Sequence, residues 1–198
     1  MSPRLYVLRH GRSEANAQGL IASSLATAGE HFGLTDEGRM QVRSNVGRIA
    51  SEIGRPVTIL ASPLLRTKET AEIAREVLGG EVEAEPRLIE RDFGELELEP
   101  DTRYEEVWRV DRSSPHHHTF GAEPPAAVLE RVRAVADDAV RTRAGTVLLV
   151  THGDVASILL SAARGAPLTR HREVGALATG ELTPIDWPPA ATGPIFDP

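Results

Sequence analysis

Cysteine is absent from this 198-residue chain. That excludes disulfides, thiolate catalysis and cysteine-ligated zinc. Lysine is nearly absent too: Lys68 stands alone, so positive charge rests on arginine, which we read as compositional bias without functional content. Aromatic residues make up only 4%, so a core must be built from Val, Leu, Ile and Ala. No block of clustered basic residues occurs and the formal net charge is −7. Nucleic acid is therefore not expected as a partner, because neutralising its phosphates needs clustered Lys and Arg. No apolar run approaches the length of a membrane span, and the apolar stretch before Arg9 is too short for a signal-peptide core. The expectation is a cytoplasmic protein without a membrane partner. A small phosphorylated ligand stays open, since a few arginines can build a local positive pocket in an acidic protein.

With 40% apolar and 26% charged residues, the composition is that of a soluble globular chain, and the length suits one domain over residues 1–198. Short apolar runs at 4–8, 57–60 and 147–151 read as buried strands, with a further short strand near 82–84 and a last one within 177–185. Residues 11–34 read as a long loop. Thr35 looks like the N-cap of a helix over 36–53, striped by Val42, Val46, Ile49 and Ile53. Ser62-Pro63 reads as the cap and first position of a helix that runs to Leu78 and stops at Gly79-Gly80. Amphipathic spacing marks a helix from Pro124-Pro125 to about Arg143, and another runs from Asp154 to Ala163. Strands alternating with helices predict an α/β fold: a three-layer α/β/α sandwich with a mostly parallel sheet. The charged stretch 85–123, with a short helix near 102–110, is the candidate cap insert. Residues 187–198, rich in proline, read as an extended tail.

Two strands end in the same way, in Arg9-His10-Gly11 and in His152-Gly153. Ligands of open α/β sheets bind at the carboxyl ends of strands, so the two histidines can face each other across one crevice. Arg9 offers a planar fork that matches phosphate oxygens, and Gly11 would let the backbone approach an anion closely. Arg66 falls in the first turn of its helix, beside unpaired backbone N–H groups that favour an anion, although an arginine there more often faces solvent. Glu90-Arg91-Asp92 could supply a general acid if it overhangs the pocket; alone, such a triplet is usually a solvated turn. His116-His117-His118 invites a metal, but adjacent loop residues rarely converge on one ion, and solvent-facing or substrate-side positions are favoured. Trp108 and Tyr104 read as packing residues of the cap, and His31 and His171 as surface positions.

Together these motifs resemble the histidine phosphatase superfamily, which includes cofactor-dependent phosphoglycerate mutases and many phosphomonoesterases. Arg9-His10-Gly11 with Asn16, Leu34-Thr35 with Gly38-Arg39, Ser62-Pro63-Leu64-Leu65-Arg66-Thr67, Leu88 to Gly94, and His152-Gly153 occur in the family's order from residue 4 to about 163. The resemblance implies a phosphoglycerate mutase-like fold and a mechanism without cofactor or metal. His10 would attack phosphorus in line and form a phosphohistidine. Arg9, Arg66 and a protonated His152 would neutralise the phosphoryl oxygens. Glu90 would protonate the leaving alcohol and then activate water. Gly11, Ser13, Asn16 and Gly153 would line the phosphate site. The chain departs from the family pattern at Glu95-Leu96-Glu97-Leu98, and at Ala122-Glu123-Pro124, where a serine is common.

The favoured reading is a metal-independent phosphomonoesterase acting on a small phosphorylated metabolite, because the modest cap insert suggests a site open to water. A phosphoglycerate mutase and a non-catalytic phospho-ligand binding protein are the rivals, and a homodimer stays open.

Overall fold

The structure, a computed structural model, describes residues 3–188; the expected tail lies outside them from residue 189. Five strands form one sheet: β1 (Arg4–Arg9), β2 (Val57–Ala61), β3 (Glu81–Ala84), β4 (Thr146–Thr151) and β5 (Leu182–Ile185). Their order is β3-β2-β4-β1-β5. β5 alone runs antiparallel, against β1. The last strand is shorter than expected and starts at Leu182.

Alternation along the strands sorts side chains to two faces. Leu5, Val7, Leu60, Val147 and Leu149 pack under α6 (Pro125–Thr142) and α7 (Gly153–Ala163). Leu8, Ile59, Leu148 and Val150 pack under α3 (Asp36–Ile49) and α4 (Leu65–Leu78). The three-layer α/β/α arrangement follows, with β4 buried along its whole length at the centre. Each fully buried Val, Leu or Ile contributes roughly 1.5–3 kcal/mol, which is what lets so aromatic-poor a core hold.

Several boundaries differ from expectation. α3 ends at Ile49, not Ile53, because the chain turns through residues 50–54 to enter β2; Ile53 still packs against the core from that turn. The 11–34 segment holds two short helices, α1 (Glu14–Gln18) and α2 (Leu25–Ala28), capped by Ser13 and Ser24. α4 begins at Leu65, and its N-cap Leu64 makes no side-chain capping bond. Ser62 is thus not a cap; its hydroxyl is engaged elsewhere. Over the carboxyl ends of the strands lies the 85–123 segment, whose α5 (Tyr104–Asp111) packs with Phe93, Leu96 and Ala122 in a small core of its own.

Candidate functional site

Parallel pairing of β1 with β4 sets Arg9 opposite Thr151, so the next residues, His10 and His152, leave the sheet side by side. Their rings meet edge to face with centroids 5.2 Å apart. Both rings are buried. β2 ends at the same level, and Ser62, its next residue, lies 2.7 Å from His152 Nε2. Three strand ends therefore build the floor of one site.

His10 donates from Nδ1 to the Gly11 carbonyl at 2.8 Å, which leaves Nε2 as the nitrogen carrying a lone pair. Arg66 Nε donates to that Nε2 at 3.1 Å, and its Nη2 donates to the Ala22 carbonyl at 2.8 Å. Arg66 is 3% exposed, so the solvent-facing reading of this arginine fails: α4 aims it inward. Arg9 is anchored through Nη1 to the Leu177 carbonyl at 2.6 Å. Burial, then the charges of Arg66 and Arg9, push His10 well below its ordinary pKa, so the ring is neutral.

Among the described residues, four buried side-chain polar atoms lack a partner, and three of them are Arg9 Nε, Arg66 Nη1 and His152 Nδ1. Orphaned buried polar atoms cost roughly 1–3 kcal/mol each, so two guanidinium donors and an unpartnered imidazole nitrogen at one histidine pair mark a place for a polar, acceptor-rich ligand. His152 lies behind, against the His10 ring. Arg9 and Arg66, with His10, border a cavity of about 60 Å³, lined also by Asn16, Glu90, Phe93, Tyr104 and Trp108. That is far below the ~300 Å³ at which pockets for drug-sized ligands begin. The cavity suits a tetrahedral anion better than a whole nucleotide.

Glu90 lines the same cavity and is buried. Burial first, and then the charge of Asp154, raise its pKa above the ordinary carboxylate value; Arg66 and Arg9 oppose this. The expected acid is thus held toward its protonated form. Arg131 braces the segment that carries it, donating to the carbonyls of Arg87 at 2.6 Å and Ile89 at 2.8 Å. Glu123 holds Arg131 in turn, at 2.8 Å. Glu123, at one of the departures from the family pattern, therefore acts on the frame behind Glu90.

Three further expectations are corrected. His152 is pushed well below its ordinary pKa by burial, Arg66 and His10, so it is neutral here and not protonated. Gly11 does not line the cavity; a Cβ there would lie 2.4 Å from the Gly38 carbonyl oxygen and 2.9 Å from Val42, so its bareness serves the packing of α3. His171 is buried, 3.2 Å from Asp111 and 3.0 Å from Ser157, and is no surface residue. Tyr104 and Trp108 pack as expected but also face the cavity. Gly153 does line the cavity, and its missing side chain leaves room for the Arg9 guanidinium, 3.3 Å from where a Cβ would sit. Ser13 and Asn16 hydrogen-bond to each other in a capping box, with Asn16 Oδ1 accepting from the Ser13 hydroxyl at 3.0 Å. His117 turns onto Asp111 at 2.6 Å, whereas His116 and His118 are exposed. Among the described residues no group of three or more His, Asp or Glu side chains is placed to hold a metal ion.

Sequence reasoning missed Ser62, Arg91, Asp111 and Asp154. Arg91 is fully buried and pairs with Asp111 at 2.7 and 2.9 Å and with Asp154 at 3.2 Å. Asp154 could have been suspected, as the one charged residue in a helix that is otherwise almost wholly apolar.

The sequence model of the histidine phosphatase superfamily (branch 1) matches residues 5–192. The probable phosphoglycerate mutase GpmB of Photorhabdus laumondii is 33% identical, covering 93% of this chain and 85% of its own length. A putative alpha-ribazole-5'-P phosphatase from Escherichia coli has the same fold, with a TM-score of 0.72 and 25% identity over 93% of this chain and 91% of that one. A mycobacterial glucosyl-3-phosphoglycerate phosphatase in complex with VO3 superposes with a TM-score of 0.77 at 22% identity, covering 92% and 90% of the two chains, which is a likeness of fold.

Proposed function

The chain belongs to the histidine phosphatase superfamily (branch 1), and from that premise we propose that it hydrolyses phosphomonoesters through a phosphohistidine on His10. The observation that carries this is the trio of orphaned polar atoms, Arg9 Nε, Arg66 Nη1 and His152 Nδ1, around a neutral His10. A phosphoryl group bound there takes over the Arg66 donor, freeing the Nε2 lone pair. Nε2 then attacks phosphorus in line, the P–O bond to the alcohol breaks, and Glu90 gives its proton to the departing oxygen. In the second step the Glu90 carboxylate takes a proton from water, the water oxygen attacks phosphorus, and the P–N bond breaks. Arg9, Arg66 and His152 hold the charge on the equatorial oxygens throughout; losing one such donor costs on the order of 3 kcal/mol of transition-state stabilisation. Asn16 and Gly153 complete the lining around the phosphoryl group, with Ser13 holding Asn16.

A mutase is the second reading, because the curated relatives carry that name. Charge pairing favours hydrolysis. Of the three guanidiniums lining the cavity, Arg9 and Arg66 have no carboxylate partner among the described residues, whereas Arg172 is paired with Asp154 at 3.1 Å. The cavity thus offers two free cations, enough for one phosphoryl group and not for a bisphosphorylated primer.

The test is phosphate release from a panel of phosphomonoesters with a chelator present, together with trapping of an acid-labile phosphoenzyme. The native chain is expected to turn over and His10→Ala to do neither. Turnover that needs a bisphosphorylated primer, without phosphate release, would establish the mutase instead. Phosphate binding without any phosphoenzyme would leave a binding protein.

A further inference from the structure

Asp154 is the least explained charge at the site. It lies in the first turn of α7, two residues after His152, and is 3% exposed. Donors from three other elements converge on it. Trp108 Nε1, from α5 in the cap, donates to both of its oxygens, at 3.2 and 3.1 Å. Arg91 Nη1, from the segment that carries Glu90, approaches to 3.2 Å. Arg172 Nη1, from α8 (His171–Val174), donates at 3.1 Å while its guanidinium lies 4.1 Å over the Trp108 ring. Trp108 in turn stacks on Tyr104 at 5.1 Å, and Tyr104 meets Phe93 edge to face at 4.6 Å. The cap's cavity-facing aromatics are thus tethered to the core through one carboxylate, and that carboxylate shares the cavity with Glu90.

We propose that Asp154 is a positioning residue for the reaction: fixed by Trp108, Arg91 and Arg172, it seats the cap over the phosphoryl cavity and keeps the proton on Glu90. The inference rests on the reading of Glu90 as the general acid. Asp154 itself is unsuited to that role, since Arg172, His171, Arg91 and the Trp108 N–H hold it below the ordinary carboxylate range despite its burial. The charged and titratable groups around Glu90 come from each element packed on it: Arg9 from β1, Arg66 from α4, Tyr104 from α5 and Asp154 from α7, with the Arg91 backbone N–H donating to Oε1 at 2.9 Å. Of these, Asp154 is the one negative charge, so among the surrounding charges it alone adds to burial, the larger effect, against the two arginines that would draw the proton off Glu90.

The experiment reads the pH profile of kcat/KM, which reports steps up to phosphorylation of His10, with an alkyl phosphate and with a nitrophenyl phosphate whose leaving group departs without a proton. For Asp154→Asn, removal of the negative charge is expected to move the alkaline limb to lower pH with the alkyl ester, about a tenfold loss on that side. The limb is expected to stay in place with the nitrophenyl ester. Arg172→Gln, at a partly exposed position, leaves Asp154 less neutralised and is expected to move the alkyl-ester limb the other way, to higher pH. A merely structural role would lower rates without moving the limb in opposite directions. If Asp154→Asn does not fold, Arg172→Gln carries the test alone. An unmoved limb in the variants that fold overturns the inference. Glu90→Gln separates this failure from failure of the wider reading: full alkyl-ester activity in that variant would remove Glu90 as the acid, whereas a loss there beside an unmoved limb would remove only the role of Asp154.

Discussion

Arg91→Met is the most severe single perturbation the structure suggests outside the phosphoryl cavity. The Arg91 side chain is wholly buried; its fork meets Asp111, itself 1% exposed, through two hydrogen bonds of 2.7 and 2.9 Å. Nε donates to the Glu123 carbonyl at 2.7 Å, tying the Glu90 segment to the start of α6. Methionine fills much of the volume but leaves Asp111 as a buried charge with only His117 and His171 against it. Removing one partner of a buried pair costs about 3–5 kcal/mol. For a chain of this size that lowers Tm by roughly 6–20 °C.

The pH dependence of that deficit gives a second check. Arg91 and the two histidines hold Asp111 far below the ordinary aspartate range, against the burial that would raise it. A depressed carboxylate stabilises the fold above its unfolded pKa, about 3.9, and that stabilisation is lost as pH falls toward the folded value. The Tm gap between parent and variant is therefore expected to be full at pH 6–8 and to narrow below about pH 4. Calorimetric scans across that range measure it. A variant within a degree or two of the parent at pH 7 would refute the claim that this pair holds α5 to the segment that carries Glu90.

The remaining predictions are as follows. Glu90→Gln removes a buried acid whose pKa is raised in the fold, so the parent's Glu90 favours folding below its unfolded pKa, about 4.3, and loses that advantage as pH rises through the folded value. The variant should melt above the parent at pH 7 and level with it below about pH 4, even as it loses alkyl-ester hydrolysis; equal melting at pH 7 would count against the burial argument. Gly11→Ala should cost about 1–3 kcal/mol, because its Cβ would overlap the Gly38 carbonyl; denaturant unfolding with unchanged stability would return Gly11 to a role at the anion. Ser62→Ala strips from His152 Nε2 its one partner among the described residues and should cost about 1–3 kcal/mol, with a fall in kcat/KM as the ring loses its orientation. Unchanged stability and rate together would show that Ser62 does not orient His152.

The sheet and its helices were readable because burial imposes period on sequence: strands as short apolar runs, α3 and α6 as stripes. The histidine pair was readable for a related reason, since a polar residue closing a buried strand must be satisfied or used. What escaped prediction depends on which way a side chain points once the chain has folded. Arg66 and Arg91 look like solvated charges in a linear reading, and both are buried, one against His10 and the other against two carboxylates. Ser62 followed by Pro63 has the pattern of a helix cap, yet the pattern cannot say that a histidine from a strand 90 residues on will reach its hydroxyl first. Gly11 shows the converse error, in which a glycine beside a strand-ending histidine is credited to the ligand when a neighbouring helix needs the space.

The neutral state of His152 follows from the same balance of charge that makes the site attractive to a phosphoryl group. Arg66 lies buried and Arg9 partly buried, neither with a carboxylate of its own among the described residues, and each disfavours a further positive charge nearby. Burial first, and then these charges, keep the two histidines neutral, which for His10 is the form the proposed attack needs. A dianion entering the cavity inverts that balance. It meets two guanidiniums whose desolvation is already part of the fold, and its own charge then favours a proton on the histidine it touches. In the proposed reaction, nucleophile and electrostatic stabiliser are therefore chemically identical rings 5.2 Å apart, distinguished by the partner that each keeps: a backbone carbonyl that fixes Nε2 of His10 as the lone pair, and a serine hydroxyl at Nε2 of His152 that leaves its Nδ1 for the ligand.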